Sequence, residues 1–307
     1  MAKRLANITQ RAKNKIKKYN IFMNLVMLNI FLIISISGEE YISEIHLVIK
    51  GSGIQNITSN DYDGTLPDEV IVNGVTRTGC TKICYLYEDI NNVILKFNAP
   101  IEHCFFLFNH VYNIYEVDLS YFDASNVWTM FCMFQACSSL EKVNFGNINL
   151  SSLKSFYGTF AYCTNLKIVN LSNIDTSHLE SIAGMFDNCY NLIYLDLSNF
   201  DISGVTEMHK LFNNCKSLIY LNLNSNKFIL KDGNVNSADI FLDTSSNTKF
   251  CINDANLGEK LSSYGKISNC SDICFKKNIK IDITNKICVE SCQNKKYEEN
   301  NLCLNEC

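Results

Sequence analysis

Between Asp118 and Leu221 the apolar positions recur every 26 residues through four units, with no insertion or deletion. The units read DLSYFDASNVWTMFCMFQACSSLEKV, NFGNINLSSLKSFYGTFAYCTNLKIV, NLSNIDTSHLESIAGMFDNCYNLIYL and DLSNFDISGVTEMHKLFNNCKSLIYL. A fixed period of this length predicts a solenoid, in which each unit buries its apolar face against its neighbours. Two rhythms share each unit. Leu140, Val143, Phe145 and Ile148, repeated as Leu166, Val169, Leu171 and Ile174 and as Leu192, Leu195, Leu197 and Phe200, spell L-x-x-L-x-L-x-x-F. Its central alternation predicts a short strand with one buried face. The second half runs Val127, Met130, Met133, Phe134, Cys137, and again Leu179, Ile182, Met185, Phe186, Cys189. Spacings of three and four predict a helix with one apolar stripe. Asp123 and Ser125, Asp175 to Ser177, and Asp201 and Ser203 supply oxygens suited to capping it. The expected coil is therefore strand, turn, helix and return: an α/β solenoid.

On the predicted strands, the side chains between the buried ones form columns on the opposite face. One holds Lys142, Ile168, Tyr194 and Tyr220; the next Asp118, Asn144, Asn170 and Asp196; a third Ser120, Gly146, Ser172 and Ser198. Aromatic groups beside a polar ladder suit recognition of a partner, since tyrosines are favoured anchors. The alternative is that Tyr194 and Tyr220 only pack on each other along the sheet.

The full signature, DLSNFD-x-S-x-V-x-x-M-x-x-x-F-x-x-C-x-x-L, resembles the BspA-type repeat of bacterial and protist surface proteins, a kind of leucine-rich repeat. It covers residues 118–221, and a half-repeat, CFFLFNHVYNIYEV (104–117), leads into it with Phe108, Ile114 and Val117 in register. The second copy departs most, with Gly146 for Ser, Thr159 for Met and Asn149 for the Asp of the turn. The resemblance implies a leucine-rich-repeat-like fold, a strand plus a helix per coil, and a surface-exposed protein that adheres to matrix proteins or host cells. The partner it implies is an extracellular protein or a host or cell-surface ligand.

The flanks differ. Residues 1–38 open with seven basic side chains and no acidic one, followed by the apolar IFMNLVMLNIFLIISIS and small residues before Glu39. This is the composition of a secretory signal peptide; a retained signal anchor is the alternative, the apolar run being short of the about 20 residues a spanning helix needs. Residues 39–100 hold EIHLVIKG, EVIVNG, KICYLY and NVILKFN, β-rich runs that predict an N-terminal cap. The solenoid then occupies 101–229, a C-terminal cap with TKFCIN as its last strand 230–268, and a cysteine-rich module 269–307. The chain's 27 basic and 31 acidic residues become 20 and 31 without the N-terminal segment, a net charge of −11. Nucleic acid, which needs a basic face, is excluded as a partner, and a membrane contact is expected only through a retained N-terminal anchor or a further C-terminal segment.

Fifteen cysteines behind a secretory start predict an oxidising compartment, and the odd number leaves at least one thiol free or bonded to another chain. Cys80 and Cys84 form one C-x-x-x-C pair; Cys270 and Cys274, Cys288 and Cys292, and Cys303 and Cys307 form three more in a segment of little apolar content, where disulfides replace a core. That segment resembles the furin-like or growth-factor-receptor-like modules of protist surface proteins; zinc is the competing reading. Cys137, Cys163, Cys189 and Cys215 share one register position. A disulfide ladder needs Cα atoms within about 7 Å, and helices pack about 8–10 Å apart. A stack of buried free thiols is therefore the expectation. Acceptor sequons for glycosylation lie at Asn56, Asn149, Asn170 and Asn269.

No catalytic constellation is present in the sequence. The five histidines share no metal or catalytic spacing, and neither H-E-x-x-H, G-x-S-x-G nor a phosphate-binding glycine loop occurs. Asp61-Tyr62-Asp63-Gly64 with Glu69 approaches a calcium loop, but Val70 stands where the bidentate Glu belongs, so a surface turn is expected. Met130, Met133, Met185 and Met208 are expected to be core rather than a cofactor box. The chain is read as a secreted or cell-surface non-enzyme without cofactors, adhering to or recognising a ligand through the concave face of its solenoid. The alternatives are a cell-coat component cross-linked through its cysteine modules and the ectodomain of a receptor.

Overall fold

The computed structural model describes residues 43–171, 174–224, 239–252, 258–259 and 261–268, and four short strands between 280 and 304. Residues 1–38, expected to be a signal segment, lie outside the described residues, as do the glycosylation candidate Asn269 and the disulfide candidates Cys270, Cys274, Cys292 and Cys307 and the side chains of Cys288 and Cys303. No helix among the described residues is long and apolar enough to cross a membrane.

The cap is built from β1 (Ser43–Lys50), β2 (Gly53–Asn56), β3 (Glu69–Val72), β4 (Val75–Thr76), β5 (Ile83–Leu86) and β6 (Ile90–Phe97). Strict alternation in β1 buries Ser43, Ile45, Leu47 and Ile49 and leaves Glu44, His46 and Val48 half-buried. Asn73 and Gly74 join β3 to β4, both with φ in the left-handed region (51° and 78°), as a tight hairpin turn requires. The first solenoid strand, β7 (Ile114–Asp118), pairs antiparallel with β1 and parallel with β8 (Lys142–Asn144), which pairs parallel with β9 (Ile168–Asn170). One sheet of order β4-β3-β6-β1-β7-β8-β9 therefore runs from cap into solenoid, and the backbone edge of the first coil is covered by β1. The ladder resumes as β10 (Tyr194–Asp196), β11 (Tyr220–Asn222), β12 (Lys249–Cys251) and β13 (Lys266–Ser268), all parallel. β14 (Lys280–Asp282), β15 (Ile287–Val289), β16 (Tyr297–Glu299) and β17 (Leu302–Leu304) form a separate four-stranded sheet of order β15-β14-β17-β16.

The α/β, strand-plus-helix coil expected from the spacing does not form. Helix among the described residues is limited to a single turn near Leu261, and the repeats make a β-solenoid. In the segment read as a helix, alternate backbone N–H groups reach the next coil: Met130 donates to Ser155, Cys132 to Tyr157, Phe134 to Thr159 and Ala136 to Ala161, at 2.8–2.9 Å. The intervening ones fold back three residues, as from Met133 to Met130 and Cys137 to Phe134. These are successive β-turns, which also advance the buried face by three or four residues, so the stripe was real and its cause was not. The backbone supplies the physical reason. Each coil carries two left-handed residues four apart, such as Cys132 and Ala136 (φ 51° and 60°), Gly158 and Tyr162 (59° and 62°), and Gly184 and Asn188 (60° and 61°). An α-helix of L-residues admits neither.

The core is a set of vertical columns. Phe108, Phe134, Phe160, Phe186, Phe212 and Phe241 stack ring on ring with centroids 5.2–5.9 Å apart. Beside them stand Cys137, Cys163, Cys189 and Cys215, all free and fully buried. Each thiol donates to a carbonyl of the preceding coil, from Cys137 to Phe108 and Cys163 to Phe134 at 3.0 Å, Cys189 to Phe160 at 3.1 Å and Cys215 to Phe186 at 3.2 Å. The distance argument against a disulfide ladder does not survive, because hydrogen-bonded coils lie about 4.8 Å apart rather than at helix spacing. The thiols are free because each has a backbone partner and all point the same way.

Gly146, the odd residue of its column, has φ 55°, and a Cβ on it would meet Ser120 Cβ at 2.7 Å and Ser120 Cα at 2.9 Å. Restoring the serine of the neighbouring copies is therefore expected to destabilise. Gly146→Ser should cost about 2 kcal/mol, combining left-handed strain with the clash, measured by urea unfolding; an unchanged midpoint would show that this corner relaxes freely.

Candidate functional site

The polar face of the long sheet carries a groove of about 330 Å³ where cap meets solenoid. Its floor and walls come from four strands: His46 on β1, Asn92 on β6, Glu116 and Asp118 on β7, and Lys142 and Asn144 on β8. Strand alternation puts these groups on one face, opposite the buried Leu47, Val93, Val117 and Val143. The β1–β7 register shifts between Val48 and Ile49, a bulge that marks where antiparallel cap pairing adjusts to the solenoid.

Charged pairs of both signs lie along the same sheet face. Glu44 accepts from His46 Nε2 at 2.9 Å and lies 3.3 Å from Lys96 Nζ, which also approaches Glu69. Burial pushes the Glu44 carboxyl up, but the hydrogen bonds and charges of His46 and Lys96 outweigh it and hold the group below the usual carboxylate range. Lys142 stands 3.8 Å from Glu116. The His46 ring stacks on Tyr121, centroids 4.8 Å apart, and Tyr121 is exposed. Asp118 accepts from Asn144 Nδ2 at 3.0 Å and from the hydroxyl and N–H of Ser120. The arrangement offers donors, acceptors and one stacked aromatic edge, and holds no activated nucleophile.

The structure brings Asp118, Asn144 and Lys142 together in this groove and leaves the other residues of the predicted columns elsewhere. Asp118, Asn144 and Asp196 each also accept the N–H two residues on, from Ser120, Gly146 and Ser198, and so close the turn after their strands. Tyr194 lies opposite Tyr220, its hydroxyl 3.4 Å from Asp196; burial first, then that carboxylate, pushes the phenol up. Tyr220 is only 4% exposed, with Lys249 Nζ 5.4 Å above its ring. Asn170 lies exposed on β9; Ile168 belongs to the same strand, its side chain outside the described residues. His46, Asn92, Glu116 and Tyr121 were not singled out by the sequence reading. The alternation of SEIHLVIK marks Glu44 and His46 as one face, but only the pairing of β1 with β7 sets His46 opposite Asp118 and in one groove with Lys142.

Elsewhere, Cys80 and Cys84 are disulfide-bonded to each other, as expected. Asn149 and Asn170 are exposed, and Asn56 is half-buried on β2. The Asp61–Gly64 segment is a turn pinned by Lys82 Nζ, which donates to the carbonyls of Asn60 and Tyr62 at 2.9 and 2.6 Å.

The class this geometry defines is a capped β-solenoid with a mixed-charge groove on its sheet. Residues 102–228, the half-repeat and the four full units, match the family described as "Mycoplasma protein of unknown function, DUF285". No curated protein and no solved structure matched the chain.

Proposed function

We propose that this is a secreted or cell-surface, non-enzymatic recognition protein that holds an extracellular protein or cell-surface ligand against the polar sheet face. The observation that carries the reading is the groove at the cap–solenoid junction. The Lys142–Glu116 pair and His46, whose ring stacks on the exposed Tyr121, line it, in the face where the repeat pattern alone places Lys142, Asp118 and Asn144. Its similarity to a bacterial repeat family and the BspA-type signature of the units support a surface location and adhesion. Nothing in the groove's chemistry favours turnover over binding: Glu116 faces Lys142 and Asp118 is occupied in a turn.

The test is binding of the chain to a panel of extracellular-matrix proteins and to cells, beside a His46→Ala/Lys142→Ala double variant and a Tyr194→Ser variant. Saturable binding that the double variant weakens at least tenfold, with an unchanged thermal melt, is expected. Loss in Tyr194→Ser with the double variant unaffected would move the surface along the sheet. No binding by any form would overturn the adhesion reading.

A further inference from the structure

A second site lies in the cap, on the outer face of the β2–β5 ribbon. Its inner face, Cys84 and Leu86, is buried in the core and suffices to hold the ribbon in place. The outer face is also apolar: Ile54 is 75% exposed, Tyr85 54% and Tyr87 63%, with Ile83 beside them. The register sets Ile54 opposite Tyr85, and strand period puts Ile83, Tyr85 and Tyr87 on one side, so these are neighbours rather than scattered residues. A contiguous apolar patch of this kind on a protein surface marks an interaction site.

Arg77 closes one side of the patch. Its backbone N–H donates to Val70 O at 2.8 Å, fixing it at the end of β4, and its guanidinium lies 4.8 Å from the Tyr87 ring, itself 4.9 Å from the Tyr85 ring. The Arg77 Nε is buried without a hydrogen-bond partner, and no carboxylate pairs with the side chain among the described residues. Together with Thr76, Thr78, Gly79 and the Cys80–Cys84 disulfide, these groups enclose an open cleft of about 460 Å³ that has no acidic side chain in its lining. A buried guanidinium donor left unpaired costs stability, and a fork of this geometry matches a carboxylate.

We infer that this cleft binds an acidic peptide segment, a carboxylate side chain seated on Arg77 and its apolar neighbours against Ile54, Ile83 and Tyr85. Charge complementarity selects the anion; four apolar side chains around one cation select a peptide. A polyanionic glycan or an anionic membrane requires several cations, and the cleft has one. The face is independent of the groove on the long sheet.

The experiment is selection of displayed random hexapeptides on the full chain, with the winners measured against Arg77→Gln, Arg77→Lys, Tyr85→Ser and His46→Ala/Lys142→Ala. Peptides with Asp or Glu flanked by Leu, Ile or Phe are expected. Arg77→Gln and the Asp→Asn or Glu→Gln version of the peptide should each weaken binding tenfold or more. Arg77→Lys should recover part, Tyr85→Ser should weaken it, and the groove variant should bind fully. Tyr85→Ser alters an exposed group and should keep the thermal melt; Arg77 is half-buried, and were Arg77→Gln to unfold, the peptide's own amide version still decides. Absence of enrichment, winners without an acidic residue, equal binding to Arg77→Gln, or binding of phosphatidylserine vesicles in place of peptide would each overturn the inference.

Discussion

Between pH 8.5 and 10 the protein is expected to lose about 2 kcal/mol of stability for each buried thiol, enough in sum to unfold it. Cys104, Cys132, Cys137, Cys163, Cys189 and Cys215 are buried and free. Burial raises every one of these thiols, pushing Cys132 up to about 12, with neighbouring thiols adding to the rise at Cys163 and Cys189. The folded chain therefore keeps these protons while the unfolded chain releases them above about pH 8.5. The unfolded state binds fewer protons there, so stability is fully present below that pH and falls as pH rises toward the folded values. Urea unfolding at several pH values between 7.5 and 10 measures the slope. Replacing two rungs, Cys163→Ser and Cys189→Ser, keeps a donor for the Phe134 and Phe160 carbonyls and removes two titrating groups. Its slope above pH 9 should be shallower by about 2.7 kcal/mol per pH unit, two thiols' worth. A slope unchanged by the double variant would mean that the ladder is open to solvent. The same burial predicts that these six thiols resist alkylation until the chain unfolds.

The largest single-residue effect belongs to the phenylalanine stack. Phe160 is fully buried, stacked on Phe134 and Phe186 at 5.5 and 5.6 Å, with Phe145 edge-on at 6.3 Å. Phe160→Ala should cost about 3–5 kcal/mol, from lost transfer energy and the cavity left behind. The coils above and below are tied by backbone hydrogen bonds at strand spacing and cannot close on the gap. Phe160→Leu keeps most of the volume and should cost less than half as much. Because each coil contacts its neighbours on both sides, an interior coil should suffer more than one near the end of the column. Phe241→Ala, at the end of the stack, is the comparison. Equal losses at Phe160 and Phe241 would count against a nearest-neighbour solenoid.

Much of this architecture was legible in the chain because a repeat states its own register. The period placed Val143, Val169, Leu195 and Leu221 at the centres of successive strands, and every one is buried in a strand. The alternation of SEIHLVIK and the Asn-Gly between β3 and β4 announced a β-rich N-terminal region. The helical half was misread because spacing alone does not separate one helix from a series of β-turns; both bring an apolar side chain inward every three or four residues. A discriminating signal was present, since Gly158 and Gly184 share one register column and Asn188 and Asn214 another, residue types that tolerate a left-handed backbone. Cys132, Ala136 and Tyr162, ordinary residues in the same columns, hid it.

By itself the sequence determined which residues are buried, the period with which the chain stacks, and the columns that face away from the core. These follow from hydrophobic partition and from periodicity, both local properties of the chain. Only the tertiary structure decided how the backbone meets its hydrogen bonds, because a turn that donates to the next coil and a helix that donates to itself bury the same side chains. It also decided where the sites lie. β1 pairs with β7 across more than sixty intervening residues, which sets His46 opposite Asp118 and in one groove with Lys142, and the β2–β5 ribbon sets Ile54 against Tyr85 with Arg77 alongside. No pattern in a single strand carries such a pairing, since it is selected by the packing of the whole cap on the first coil.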